Sequence, residues 1–145
     1  MGQQQLLLLI LTIVVVGLAV VAGIEAFDEN ERKTTIDSIT NDAVRLATDI
    51  QSWSLRPVAY GGPEDGEGFT NVTLNRIGYV TDDAGTYATL NGQFSLTDTQ
   101  ADCVRLVGTN PDLDGGASTE IVQVVIRGAQ PADLETSIEG PAISC

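Results

Sequence analysis

Nineteen consecutive residues without a charge, Leu6 to Ile24 (LLLLILTIVVVGLAVVAGI), constrain this chain more than any other feature. As a helix rising about 1.5 Å per residue they reach about 30 Å, the thickness of a bilayer hydrocarbon core. Such a run must either lie in lipid or be covered by an equally apolar partner. A secretory signal peptide has a basic start and a shorter apolar stretch. Here Met1-Gly2-Gln3-Gln4-Gln5 is uncharged and the run is longer, so it is expected to be retained. Setting that segment aside leaves room in the 145 residues for one small soluble domain.

The helix is expected to continue past the run, because Glu25 to Leu55 holds no clear stop before Arg56-Pro57, where proline disfavours helical geometry at the preceding residue. Over that stretch Ile36, Ile39, Ala43, Leu46, Ile50 and Trp53 recur in steps of three and four. This spacing puts them on one stripe, with Arg32, Asp42, Asp49 and Gln51 elsewhere around the axis. A two-stranded zipper is the ordinary reading of such a stripe, but alanine and tryptophan at the seam suit it poorly, and packing against a sheet fits better. One helix from Gln3 to Leu55 would be about 80 Å long, more than the diameter of the remaining head, so its first half is expected to protrude. Gly17 and Gly23 mark places where the helix is free to bend or unwind, or where another helix can approach closely; small residues are also simply common in membrane spans.

After Pro57 the composition turns to glycine, threonine and aspartate, with Gly61-Gly62-Pro63 and Glu64-Asp65-Gly66-Glu67-Gly68 as a connecting loop. Strands are predicted at Phe69–Leu74, Thr86–Leu90, Gln93–Leu96, Cys103–Val107 and Ile121–Arg127, with Leu134–Ile138 as an edge strand. Asn91-Gly92 predicts a tight hairpin of type I′, both of whose central residues have positive φ. Ile121–Ile126 is the most hydrophobic strand and is expected at the centre of the sheet, with the amphipathic helix across its face. The fold class is therefore α+β: residues 1–27 form the hydrophobic helix half, and 28–145 the head, with its amphipathic helix at 28–55 and its sheet within 69–145.

All 20 acids lie from Glu25 onward, opposed by one lysine and six arginines, for a net charge of −13. A head so acidic repels phosphate backbones, which argues against nucleic-acid binding. Cys103 and Cys145 lack the spaced histidine or cysteine partners of a zinc site and are expected to form a disulfide, which an oxidising compartment permits if the head lies outside the cytoplasm. No catalytic constellation is evident: histidine is absent, and no serine stands in a nucleophile-elbow or Ser-x-x-Lys setting. No enzyme activity and no cofactor are expected. Asn110, Asp112 and Asp114, followed by Gly115, open like a calcium loop, but the twelfth position is Ile121, so an Asx turn is the simpler reading. Asn71-Val72-Thr73 matches the acceptor sequence for N-glycosylation.

An apolar start, a helix carried through into an amphipathic half, a glycine-rich loop, an antiparallel sheet and a pair of cysteines toward the C-terminus together resemble the type IV pilin family. In that family the apolar half-helix holds the subunit in the inner membrane and then packs with its copies in the filament core. The resemblance implies a structural major subunit of an extracellular filament serving adhesion or motility, whose partners are the inner membrane, the pilus assembly machinery and further copies of the chain. Gln3, Gln4, Gln5, Leu6, Leu7, Leu8, Leu9, Ile10, Ile13, Gly17 and Gly23 would form the polymerisation surface, and Cys103 with Cys145 the disulfide.

The family's basic leader and Phe-Thr-Leu-Ile-Glu start do not occur here. Its fifth-position glutamate is replaced by Gln5 counted from Met1, or by Leu7 counted from Gln3. Gln3, Gln4 and Gln5 would then supply neutral hydrogen bonds between subunits, or serve as an interfacial polar cap. Two other functions fit the same layout: a membrane-anchored module that binds a glycan or calcium without polymerising, and a minor pilin or pseudopilin of a secretion system.

Overall fold

The computed structural model describes residues 2–66, 68–113 and 119–145. Helix α1 runs Gly2–Ser54 without interruption. Leucine, alanine and the charged residues of its later part favour helix, and the β-branched run between Ile13 and Val21 is held in an apolar segment with no competing partner for its backbone. The helix ends where proline dictates: Arg56 N–H donates to Trp53 C=O at 3.0 Å, and Pro57 adopts extended geometry. By internal contacts the chain forms two compact units, Met1–Thr34 and Thr35–Cys145, and α1 contributes to both.

The second unit is the head. Its sheet is a plain meander, with five antiparallel strands whose spatial order equals their chain order: β1 Tyr87–Ala88, β2 Gln93–Thr97, β3 Val104–Thr109, β4 Glu120–Ile126 and β5 Leu134–Ile138. The central position expected for Ile121–Ile126 is taken by β3; β4 lies next to the edge, between β3 and β5, and every residue from Ile121 to Ile126 is still buried because α1 and the C-terminal chain cover it. β5 forms the predicted edge, while β1 shrinks to two residues at the other.

One sheet face packs on α1. Ile36, Ile39, Ala43, Leu46, Ile50 and Trp53 are all buried and meet Phe94, Val104, Leu106, Val122, Val124 and Ile126 in a single core. Each large side chain there stabilises the fold by about 1.5–3 kcal/mol relative to an exposed position. Ile39 crosses the sheet at Gly108, where a Cβ would stand 3.0 Å from Phe94 Cε1 and 3.1 Å from Ile39 Cγ2. Glycine at this point lets the helix settle onto the strand.

The buried face of α1 is wider than the predicted stripe. Ala47, Gln51 and Ser54 are also buried, and Gln51 Nε2 donates to the carbonyls of Gly128 at 2.7 Å and Gln130 at 2.9 Å. Gln51 therefore does not belong on the outer side of the helix. A sheet covers a broader arc of a helix than a coiled-coil seam does, and a buried amide is accepted there because turn carbonyls receive it.

Two predicted elements are corrected. Phe69–Leu74 is not a strand: Phe69, Val72 and Leu74 plug the core from a turn, and a short helix α2, Leu74–Ile77, starts at Leu74. Asn71 has φ of 61°, which breaks an extended path, and Thr73 caps α2 by accepting from Arg76 N–H. The second correction concerns Asn91-Gly92. The hairpin is there, with Ala88 opposite Gln93, but neither residue has positive φ. Its loop has four residues, and Thr89 Oγ1 accepts from the N–H groups of Asn91 and Gly92, both at 3.2 Å. Glycine is needed at position 92 for closeness, because a Cβ would lie 2.7 Å from Thr109 C=O.

The second sheet face, carrying Val107, Gln123 and Val125, is also buried. The chain after β5 returns across it: Ile143 N–H donates to Gln123 Oε1 at 2.9 Å, Ser144 C=O accepts from Arg127 Nη2 at 3.2 Å, and Cys145 is joined to Cys103. The predicted disulfide thus closes a C-terminal strap over the sheet.

Candidate functional site

The feature that asks for a partner is the apolar run of the first unit. From Leu6 to Ile24 its large hydrophobic side chains are between 52 % and 69 % exposed, all the way around the helix. A monomer in water does not keep such a surface uncovered. This helix is long and apolar enough to cross a membrane, and none of its most apolar stretch is buried. The one hydroxyl in the run is satisfied internally, since Thr12 Oγ1 donates to Leu8 C=O at 2.7 Å. Gly17 and Gly23 sit in unbroken helix, and a Cβ at either would meet nothing within 4 Å. No contact within the chain explains glycine at these two positions. Gln3, Gln4 and Gln5 lie in the first turns of α1, with exposed side chains adjoining the run.

Charges begin at Glu25. Among them Glu29 and Lys33 form an exposed i,i+4 pair at 2.7 Å, and the lysine, by hydrogen bond and then by charge, holds the Glu29 carboxyl below its usual range. Solvent screens an exposed pair of this kind, so it adds little to the helix.

On the head the polar side chains of α1 bolt the first hairpin in place. Asp42 Oδ2 accepts from Asn91 Nδ2 at 2.8 Å and from Thr89 Oγ1 at 3.4 Å. Asn110 Nδ2 in turn donates to Asn91 C=O at 2.8 Å. Two turns along the helix, Asp49 accepts a short hydrogen bond from the Tyr79 hydroxyl, and the Tyr79 ring lies 4.8 Å from that of Tyr87. Asp42, Arg45, Tyr79, Tyr87 and Thr89 border a narrow cleft of about 50 Å³.

Burial first, and then the hydrogen bond to Asp49, pushes the Tyr79 hydroxyl up from its usual 10.0 to about 12. Its folded value exceeds its unfolded one, so the stability it adds is fully present below pH 10 and is lost as pH rises toward 12. Ultraviolet titration of tyrosinate should show a step near pH 12 that Tyr79→Phe removes. Absence of that step, or its survival in Tyr79→Phe, would refute the pairing.

A second, open cleft of about 300 Å³ lies beside Ser54, Gly66, Phe69, Asp102 and Arg127. Its guanidinium is already engaged, by Glu135 at 2.6 Å and by Ser144 C=O.

The calcium-loop pattern resolves on the described residues as an Asx turn. Asn110 Oδ1 accepts from Asp112 N–H at 2.8 Å while its amide is committed to Asn91. Asp114 lies outside the described residues, among which no cluster of three His, Cys, Asp or Glu side chains is arranged to hold a metal. Asn71 is exposed on a turn. The structure therefore brings together Cys103 with Cys145, and the six helix residues with the sheet. It leaves Gln3 to Gly23 without a counterpart among the described residues. The Asp42, Asp49 and Gln51 contacts were not visible as sites in the sequence; the only signal was that these polar residues interrupt or flank an apolar stripe.

Comparison of the chain with known protein families, with curated proteins and with solved structures finds no match.

Proposed function

We propose that this chain is a structural subunit of an extracellular type IV pilus-like filament. It is held in the inner membrane by Leu6–Ile24 before assembly and joined to copies of itself through the same residues afterwards. The observation that carries the reading is the exposed, charge-free run on the same helix whose later part, Ile36 to Trp53, builds the head core. A segment of this kind suits both environments, because lipid and a bundle of identical helices are equally apolar. Gly17 and Gly23 support the second state, since small residues let helix backbones approach closely. The head, acidic and closed by a disulfide, suits the outer surface of such a filament. In this reading the protein is structural rather than catalytic, needs no cofactor, depends on an assembly machinery in the inner membrane, and serves adhesion or motility.

Electron microscopy of filaments sheared from the cell surface, followed by mass spectrometry, tests the proposal. The chain should dominate the sheared material. If it stays entirely with the membrane fraction, it is an anchored module and the filament reading is wrong.

Gln3, Gln4 and Gln5 adjoin the run and, in a filament, would lie among apolar neighbours, where amides need partners. Side chains of adjacent subunits supply them, as neutral hydrogen bonds in place of an ion pair. Replacing all three by leucine should lower filament yield several-fold without changing the folding of the head. Normal yield from the triple variant would show that these residues are only a polar cap.

A further inference from the structure

The filament reading makes no use of the turn that leads into α2. Asn71 and Thr73 are exposed there, while Val72 between them is 3 % exposed and belongs to the core. The buried middle residue pins the tripeptide and turns both flanking side chains outward. Asn71 sits at φ of 61°, a left-handed conformation that asparagine tolerates better than most residues. Thr73 Oγ1 accepts from Arg76 N–H at 3.2 Å, a bond that uses an oxygen lone pair and leaves the hydroxyl proton available to donate. Two further bonds brace the turn: Asn71 Nδ2 donates to Glu64 Oε2 at 2.9 Å, and Asn71 C=O accepts from Arg76 Nη1 at 3.3 Å.

We infer that Asn71 is the acceptor of an N-linked glycan. Asn71-Val72-Thr73 has the required hydroxyl two places on and no proline between. Of the six asparagines in the chain, only Asn71 is followed two places on by serine or threonine. The donor is an oligosaccharide carried on a lipid phosphate. A bond forms between Nδ2 and the sugar C1, and the bond from C1 to the phosphate oxygen breaks. The lipid phosphate leaves with the electron pair, and the amide gives up one proton to solvent.

The substituted amide keeps one N–H, and the bond from Arg76 to the Asn71 carbonyl does not involve the amide nitrogen that takes the sugar. The Cys103–Cys145 disulfide marks a head matured in an oxidising compartment, outside the cytoplasm, whether or not the chain polymerises. The glycosylation and filament proposals therefore stand or fall separately.

Peptide mass spectrometry of the protein from its native cells decides the matter. The tryptic peptide ending at Arg76 should carry an added glycan mass that fragments to a sugar on Asn71. Asn71→Gln and Thr73→Ala should each lose that mass, and Thr73→Ser should keep it. Thr73→Ala leaves the asparagine in place and Asn71→Gln leaves the cap of α2 in place, so their agreement isolates the acceptor requirement from any effect on the fold. An unmodified Asn71 in the native peptide, or an addition that persists in Asn71→Gln, overturns the proposal.

Discussion

Serine in place of Cys103 should destabilise the head by about 4 kcal/mol, because the bond to Cys145 closes a loop spanning a sequence separation of 42 and its loss restores that loop's freedom to the unfolded chain. The effect is large against a total stability of about 5–15 kcal/mol for a domain of ordinary size. The folded state loses something as well. With the cross-link gone, only hydrogen bonds such as those from Ile143 to Gln123 and from Arg127 to Ser144 hold the C-terminal strap over Val107 and Val125. Trp53 is the one tryptophan and is fully buried, so its fluorescence reports unfolding of the full chain in detergent. The urea midpoint should fall by about 2 M or more. Reducing the unaltered protein should reproduce the shift, and a midpoint that moves by only a few tenths of a molar in both experiments would falsify the stabilising role of the strap.

Much of this architecture is legible in the sequence because two of its signals are long. The helix is visible over its whole length, since a charge-free run and a three-and-four stripe follow one another with no stop before Arg56-Pro57. Ile36 to Trp53 are buried where that stripe puts them. The inner strands are legible for the same reason: Val104 to Val107 and Ile121 to Ile126 are apolar throughout on the face that meets α1 and carry only Arg105 and Gln123 as polar residues on the other, which the C-terminal strap crosses. The cysteines were legible as a pair because nothing else in the chain could ligate with them.

The failures are local, where one residue type serves two purposes. Asn91-Gly92 reads as a turn with two left-handed residues, yet the Thr89 hydroxyl makes the turn and Gly92 is small because Thr109 passes so close. Phe69, Val72 and Leu74 read as a strand because they are apolar or β-branched, but their burial follows a turn that drops three plugs into the core. Gln51 is polar by type and buried by position, and only the geometry of the β4–β5 connection, which presents two carbonyls, shows why. Asp42 and Asp49 are similar: each is paired with a residue at least 30 positions away, and such partners leave no periodic trace. The apolar run is the opposite case. Its character is plain in the sequence, and the structure adds only that none of the described residues covers it.

A lysine at Val15, the middle of that run, should abolish filaments while leaving the head intact. Val15 is 57 % exposed on α1, so the head core does not feel the change, and the midpoint read by Trp53 fluorescence should stay where it was. In the membrane the new charge costs about 2.5–3.5 kcal/mol at the centre of a spanning helix, enough to reduce insertion without preventing it. In a filament the cost is greater, because every subunit would bring the same charge into an apolar bundle with no carboxylate on Leu6–Ile24 to pair with it. Membrane-bound subunit should therefore persist at a reduced level while sheared filaments disappear, and Val15→Leu should behave as the unaltered chain. The two losses separate the roles of the helix. A chain that is only anchored would show the reduced membrane level and nothing else, whereas filaments of normal yield from Val15→Lys would mean that the run does not form the core that joins the subunits.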